Sequence, residues 1–209
     1  MKAFLRHITN ILAVFMVAAG FSGCHVNKHG NLSFGVKPQP APAKSGKGSE
    51  PQHYLYKDDK VLEAMTSANS KLQIDLSDQR VKLFNGDKLA LESQISTGTE
   101  GHRTPTGKFS ILEKKVDKKS NRYGKWVNGE SGETLISDGD SHRPPNGGGA
   151  QFRGTEMPYW MRVTWGGIGM HIGYVPLYAA SHGCIRVPRQ AQPLIFSKVQ
   201  VGTPVEIIY

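Results

Sequence analysis

Residues Lys71–Ser96 read KLQIDLSDQRVKLFNGDKLALESQIS, and their periodicity decides the fold class. Leu72, Ile74 and Leu76, then Val81 and Leu83, then Leu89 and Leu91 recur at every second position. That period places apolar side chains on one face of an extended chain. Asn85-Gly86 falls between two such runs, and this dipeptide favours the tight turn of a β-hairpin. The stretch therefore predicts antiparallel β structure.

Outward from it the same character continues in GKFSILEKKV (Gly107–Val116), TLIS (Thr134–Ser137), WMRVTW (Trp160–Trp165) and the terminal GTPVEIIY (Gly202–Tyr209). Arg189–Val199, with Pro188 before it and Gly202 beyond it, is the one good helix candidate. Ser137–Gly154, SDGDSHRPPNGGGAQFRG, has no period and reads as a long irregular loop, a candidate lid. The expectation is a mainly β domain over residues 71–209, with one short helix beside the functional site.

Upstream of residue 71 the composition changes. Lys2 and Arg6 precede the apolar run Ile11–Phe21, which is too short to span a bilayer and is followed by Ser22-Gly23-Cys24, the layout of a secretory signal. Small residues directly before a cysteine resemble a bacterial lipobox. Residues 1–23 are thus expected to be a lipoprotein-type signal peptide and Cys24 a lipidated N-terminus. Residues 24–70, centred on KPQPAPAKSGKGSEP, are expected to form a flexible tether containing a short helix within 54–68. The 209 residues carry a net charge of +9, and loss of residues 1–23 removes two lysine or arginine side chains and no acid. The exported part is itself basic, which suits a polyanion without saying which one.

Only two cysteines occur, so Cys184 is the single thiol left if Cys24 is lipidated. It lies in IGMHIGYVPLYAASHGCIRVP (168–188), two residues after His182 and within reach of His171 across the Tyr174–Ala180 loop. A thiol attacks as thiolate, and an imidazole that takes its proton supplies that form. His171 and His182 are both candidates for that partner, and an imidazolium there is expected to hold the thiolate below the free-cysteine pKa of about 8.5. Amides around Gly183 and Cys184 are candidates for an oxyanion hole, and Arg186, at the same strand parity as Cys184, for a carboxylate contact. Other readings stay open on the residues alone. An isolated cysteine is often a small core hydrophobe, His171, His182 and Cys184 are donors that zinc accepts, and an arginine is often a solvated charge.

MHIGYVPLYAASHGCIRVP (170–188) resembles the signature of the L,D-transpeptidase catalytic domain family of the YkuD type: a histidine, a variable loop, then Ser/Thr-His-Gly-Cys, an apolar residue and Asn or Arg. TGTEGHRTPTGKFSI (97–111) resembles the family's Thr-Pro-Thr-Gly-x-Phe segment, and MPYWMRVTWGGIGMH (157–171) its approach to the first histidine. The resemblance implies a β-sandwich or barrel-like domain with Cys184 as nucleophile, His171 as base, and His182 and Gly183 in the catalytic cavity. Arg186, Ser181, Tyr174, Trp160 and Gly169 are the expected substrate-binding residues.

The implied chemistry is attack on residue three of a peptidoglycan tetrapeptide stem, loss of D-Ala, a thioester on Cys184, and transfer to an amine. A neighbouring stem would give a 3→3 cross-link and an envelope lipoprotein a wall-anchored protein, while water would give a hydrolase. A non-catalytic wall-binding lipoprotein is the remaining alternative. No cofactor, metal or nucleic acid is implied. The expected location is the bacterial envelope, exported and held by the lipid anchor, at the outer membrane facing the periplasm if the host has two membranes.

Overall fold

The structure, a computed structural model, describes residues 53–209; the expected signal peptide, Cys24 and the tether as far as residue 52 lie outside the described residues. The fold begins earlier than composition suggested. Strand β1 (Leu55–Lys57) pairs antiparallel with β4 (Lys88–Gln94), and helix α1 (Asp59–Glu63) is capped by the Asp58 carboxylate, which accepts from the Val61 amide at 3.0 Å. Leu62 and Met65 are buried in the core. Residues 53–69, assigned above to the tether, are thus part of the domain. Leu62 and Met65, with Leu55 and Val61 packed against the core and β1 paired to β4, dock them without writing a visible period.

β2 (Ser70–Asp75), β3 (Arg80–Asn85) and β4 form the expected meander, with Asn85 opposite Lys88 at the hairpin. The register shifts between Leu83 and Phe84. That bulge explains why the consecutive residues Ala90 and Leu91 are both fully buried. β5 (Gly107–Ser110) and the terminal strand β13 (Pro204–Ile208) complete a six-stranded sheet in the order β1-β4-β3-β2-β13-β5, in which β13 runs parallel to β2.

A second sheet has the order β12-β11-β10-β6, formed by β6 (Glu113–Lys115), β10 (Trp160–Arg162), β11 (Gly169–Ile172) and β12 (Ile185–Val187). Leu72, Ile74, Val81 and Leu83 of the first sheet join Met161, Met170, Ile185 and Val187 of the second in one core, the layering of a sandwich. Helix α2 (Gln192–Lys198), with a proline in its first turn, adds Ile195 to that core. Its C-terminal carbonyls are satisfied by Lys114, whose Nζ donates to Phe196 O at 2.7 Å and Val199 O at 2.5 Å. The fold is mainly β, as the periodicity implied.

A third sheet, in the order β8-β7-β9, is built from β7 (Lys119–Asn128), β8 (Thr134–Asp140) and β9 (Ala150–Glu156). This corrects the reading of 137–154 as an irregular loop, since only 141–149 lies between the strands. β8 and β9 are largely exposed, so no apolar alternation marks them. They are held by pairing to β7 and by Trp126 packing edge-on against Phe152 at 5.3 Å.

Candidate active site

The second sheet aligns its side chains in two rows across neighbouring strands. Trp160 pairs with Lys115 and Arg162 with Glu113 between β10 and β6, Arg162 pairs with Gly169 between β10 and β11, and His171 pairs with Arg186 between β11 and β12. Met170 pairs with Ile185, so Gly169 and Cys184, one residue earlier on each segment, stand opposite one another. One row therefore runs Glu113, Arg162, Gly169, Cys184, and the next runs Lys115, Trp160, His171, Arg186. Paired residues share a face and alternate residues return to it. Met161, Met170 and Ile185 between the rows point the other way, into the core.

The face carrying both rows floors a cavity of about 450 Å³, lined by Trp160, Arg162, His171, Ser181, His182, Cys184 and Arg186. Residues of the third sheet and the strand leading to it, among them Lys118, Arg122, Tyr123 and Asp138, form its other wall. The long segment before β10 is thus a sheet overhanging the thiol. Burial pushes the Arg186 pKa down, opposed by the charges of Cys184 and Asp138.

His171 is buried, with 6% of its surface exposed. Its Nδ1 lies 2.8 Å from Ile172 O. A carbonyl only accepts, so Nδ1 carries the proton and Nε2 holds the free lone pair. Burial, with a smaller contribution from the Arg186 charge, pushes the imidazole pKa down to about 4 against the pull of the Ile172 bond. Burial also pushes the half-buried Cys184 thiol up, opposed by the Gly169 amide and by Arg186. Burial thus disfavours the charged form of each group, and runs against the expected thiolate–imidazolium pair in the free enzyme. Desolvation penalises both charged forms, and charge separation waits for the attack itself.

The turn that delivers Cys184 is tied internally. Ser181 Oγ donates to Cys184 O at 2.5 Å and accepts from Gly183 N at 3.0 Å. Both bonds belong to the turn, so Ser181 shapes the loop rather than reserving its hydroxyl for substrate. The Gly183 amide is likewise engaged, which withdraws it from the expected oxyanion hole. Gly183 has φ +110°, a conformation that excludes other residues. Thr104, from the Thr-Pro-Thr-Gly segment, clamps the turn from behind: its Oγ1 donates to Gly183 O at 2.8 Å and accepts from Gly98 N at 3.0 Å.

The remaining expected residues divide. His182 lines the cavity but stacks on Tyr123 at 4.3 Å and 10°, with His102 edge-on at 4.8 Å. Trp160 is fully buried behind His171 at 6.2 Å between ring centroids, and its Nε1–H donates to Glu113 at 3.2 Å. It floors the cavity with the edge of its ring. Gly169 serves by lacking a side chain, because a Cβ there would lie 2.4 Å from Met161 O and 2.6 Å from the Trp160 indole. Tyr174 is not brought to the site: the chain turns after β11, leaving Tyr174 exposed on a separate cavity with Val175 and Arg189.

Sequence reading missed Arg162, Glu113, Tyr123 and His102. For Arg162 a signal was present, since WMR and GMH alternate so that Trp160 and Arg162 share a face, as do Gly169 and His171.

A family model described as the L,D-transpeptidase catalytic domain, YkuD, matches residues 69–207. Among solved structures, an L,D-transpeptidase from Mycobacterium smegmatis is similar with a TM-score of 0.51 at 18% identity, covering 68% of this chain and 59% of its own. The L,D-transpeptidase LdtMt1 in complex with imipenem gives a TM-score of 0.51 at 20% identity, over 67% of this chain and 59% of that one. L,D-transpeptidase 1 of Mycobacterium tuberculosis gives 0.49 at 21% identity, over 68% and 60%. The chain therefore spans about three-fifths of the length of these structures, and the likeness is one of fold. No curated protein matched the chain.

Proposed function

Because the chain belongs to the YkuD family of L,D-transpeptidase catalytic domains, we propose that it is an L,D-transpeptidase acting on peptidoglycan stem peptides through a thioester on Cys184. The observation that carries the reading is the pairing of β11 with β12, which sets His171 and Cys184 on one face over one cavity, with the lone pair of the imidazole on Nε2. As Cys184 Sγ attacks the carbonyl carbon of stem residue three, Nε2 takes the thiol proton. The tetrahedral oxyanion collapses, the D-Ala amine leaves with that proton, and a thioester remains. An incoming amine then loses its proton to Nε2, attacks the thioester and restores the thiol.

The desolvation that disfavours both charged forms also strengthens each hydrogen bond made to the developing oxyanion. The acceptor is an amine of a neighbouring stem, giving a 3→3 cross-link. The basic cavity wall of Lys118, Arg122, Arg162 and Arg186 suits polyanionic stems on both sides of the reaction. Such a substrate lies outside the cytoplasm, in keeping with the signal-like residues 1–23 and with attachment through Cys24. The test is mass spectrometry of muropeptides after incubating the soluble 25–209 fragment with tetrapeptide stems. Dimers that have lost one D-Ala, absent with Cys184→Ser, are expected. Loss of D-Ala without dimers would make the protein a hydrolase, and no change would overturn the enzymatic reading.

A further inference from the structure

Four cations stand on the cavity wall, and Arg162 is the one in the row that carries Cys184. It stands in the same row as Cys184, two strands away with only Gly169 between them. Two inter-strand spacings make the separation of the two backbones about 10 Å. The Trp160 indole fills the space over Gly169. Arg162 and Cys184 line one cavity, so a peptide whose scissile carbonyl sits at the sulfur shares that cavity with the guanidinium.

The guanidinium is held at one end and open at the other. Its Nε donates to Glu113 Oε2 at 3.3 Å, and its Cζ lies 5.9 Å from the Trp160 ring centre. The side chain keeps 24% of its surface exposed and lines the cavity. Glu113 does not cancel it. Lys115 Nζ lies 2.7 Å from Glu113 Oε1, so this group of two cations and one carboxylate retains a net positive charge. Hydrogen bonds from Lys115 first, then from Trp160 and Arg162, bring the Glu113 pKa down to about 2, so the carboxylate is ionised at any working pH. Two of the other cations differ: Arg122 is bound to Asp140 at 3.3 Å, and Arg186, whose pKa burial pushes down, feels the opposing charge of Asp138. With Nε committed, the two terminal nitrogens of Arg162 present the planar fork that binds a carboxylate in bidentate fashion.

We propose that Arg162 binds a carboxylate of the acyl-donor stem and thereby sets donor specificity, an inference that rests on the transpeptidase reading above. Two carboxylates have this chemistry: one on the side chain of a diamino acid at residue three, and the terminal one on residue four. Glu113 is the positioning residue that aims the fork.

The test uses four synthetic donors that carry a free carboxylate or a carboxamide at each of the two positions. D-Ala release and acylation of Cys184 are followed for wild type, Arg162→Gln and Arg162→Lys, with thermal unfolding as the control for folding. Wild type is expected to prefer the free carboxylate at one position by roughly tenfold to a hundredfold in kcat/KM, the worth of a charge-assisted bond. Arg162→Gln is expected to abolish that preference, losing rate on the free carboxylate far more than on its amide. Arg162→Lys keeps the charge without the fork and retains part of the preference, and it serves alone if the glutamine variant does not fold. The position at which the preference disappears identifies the carboxylate. An equal loss on free and amidated donors, or no loss at all, would overturn the proposal. A wild type that is acylated by none of the four donors overturns the transpeptidase reading and this inference with it.

Discussion

His171 Nδ1 and the carbonyl oxygen of Ile172, 2.8 Å apart, fix the tautomer of the only buried imidazole beside the thiol among the described residues. The bond closes no loop of chain, because donor and acceptor belong to adjacent residues. It also means that the base is set by the strand that carries it, without a separate carboxylate.

The first expectation concerns the thiol. With Cys184 raised and His171 lowered by burial, the thiolate of the free enzyme appears later on the pH axis than that of free cysteine. Iodoacetamide alkylation of the 25–209 fragment, in which Cys184 is the single cysteine, should rise with pH only above the range of a simple thiol. Rapid alkylation at pH 5–6 would instead indicate a standing ion pair.

Stability should fall in acid for the same reason. The folded pKa of His171, about 4, lies below its ordinary value of 6.5, so the unfolded chain binds the proton more readily. The contribution is complete above pH 6.5 and is lost as pH falls towards 4, on the order of 3 kcal/mol in all. Urea unfolding of wild type and His171→Gln across this window should show a shallower acid limb in the variant. Parallel limbs would place the acid sensitivity elsewhere.

Thr104→Val removes the hydroxyl that joins Gly98 N to Gly183 O while nearly preserving shape. Each backbone group left without a partner costs about 1–3 kcal/mol. Denaturant midpoints should drop accordingly, and Cys184 acylation should slow as the turn loosens. Unchanged stability would show that water replaces the hydroxyl without penalty.

Gly169→Ala drives a Cβ into Met161 O and the Trp160 ring. Overpacking of this kind costs about 1–3 kcal/mol, and the displaced indole carries the disturbance to His171. Acylation should fall much further than stability does, measured by intact mass against thermal unfolding. A variant with wild-type acylation would separate Trp160 from the site.

The two histidines should differ. His171→Ala removes the base, worth ~10²–10⁴-fold in acyl transfer, whereas His182→Ala removes a ring stacked on Tyr123 and leaves the proton path intact. Tyr123→Ala should therefore reproduce the milder His182→Ala defect. The reverse order of severity in single-turnover acylation would exchange the roles.

How much was legible follows from what each residue answers to. The β2–β4 meander and β13 were readable because one face of each is buried and writes a period of two into the sequence. The catalytic turn was readable from the Ser-His-Gly-Cys run, where a positive φ and a reactive thiol constrain residue type directly. β8 and β9 were hidden because exposed strands held by backbone pairing carry no apolar period. Tyr174 was misplaced because a loop's direction after Ile172 depends on tertiary contacts. The burial that lowers the His171 pKa and raises that of Cys184 was out of reach, since it is a property of the folded packing and not of the two residues.

The pairing of β1 with β4 has one more consequence. The matched family region begins at residue 69, but the molecule's own boundary lies at or before residue 53, because β1 occupies the outer hydrogen-bonding groups of β4 and α1 covers the core beneath. A truncation at residue 69 would uncover a row of unpaired amides and carbonyls along Ala90–Gln94 and, beside it, the apolar surface left by Leu62 and Met65. An open strand margin next to an oily patch is a template for a second chain. Residues 53–69 thus work as a selvedge, finishing the sheet so that it does not fray into self-association.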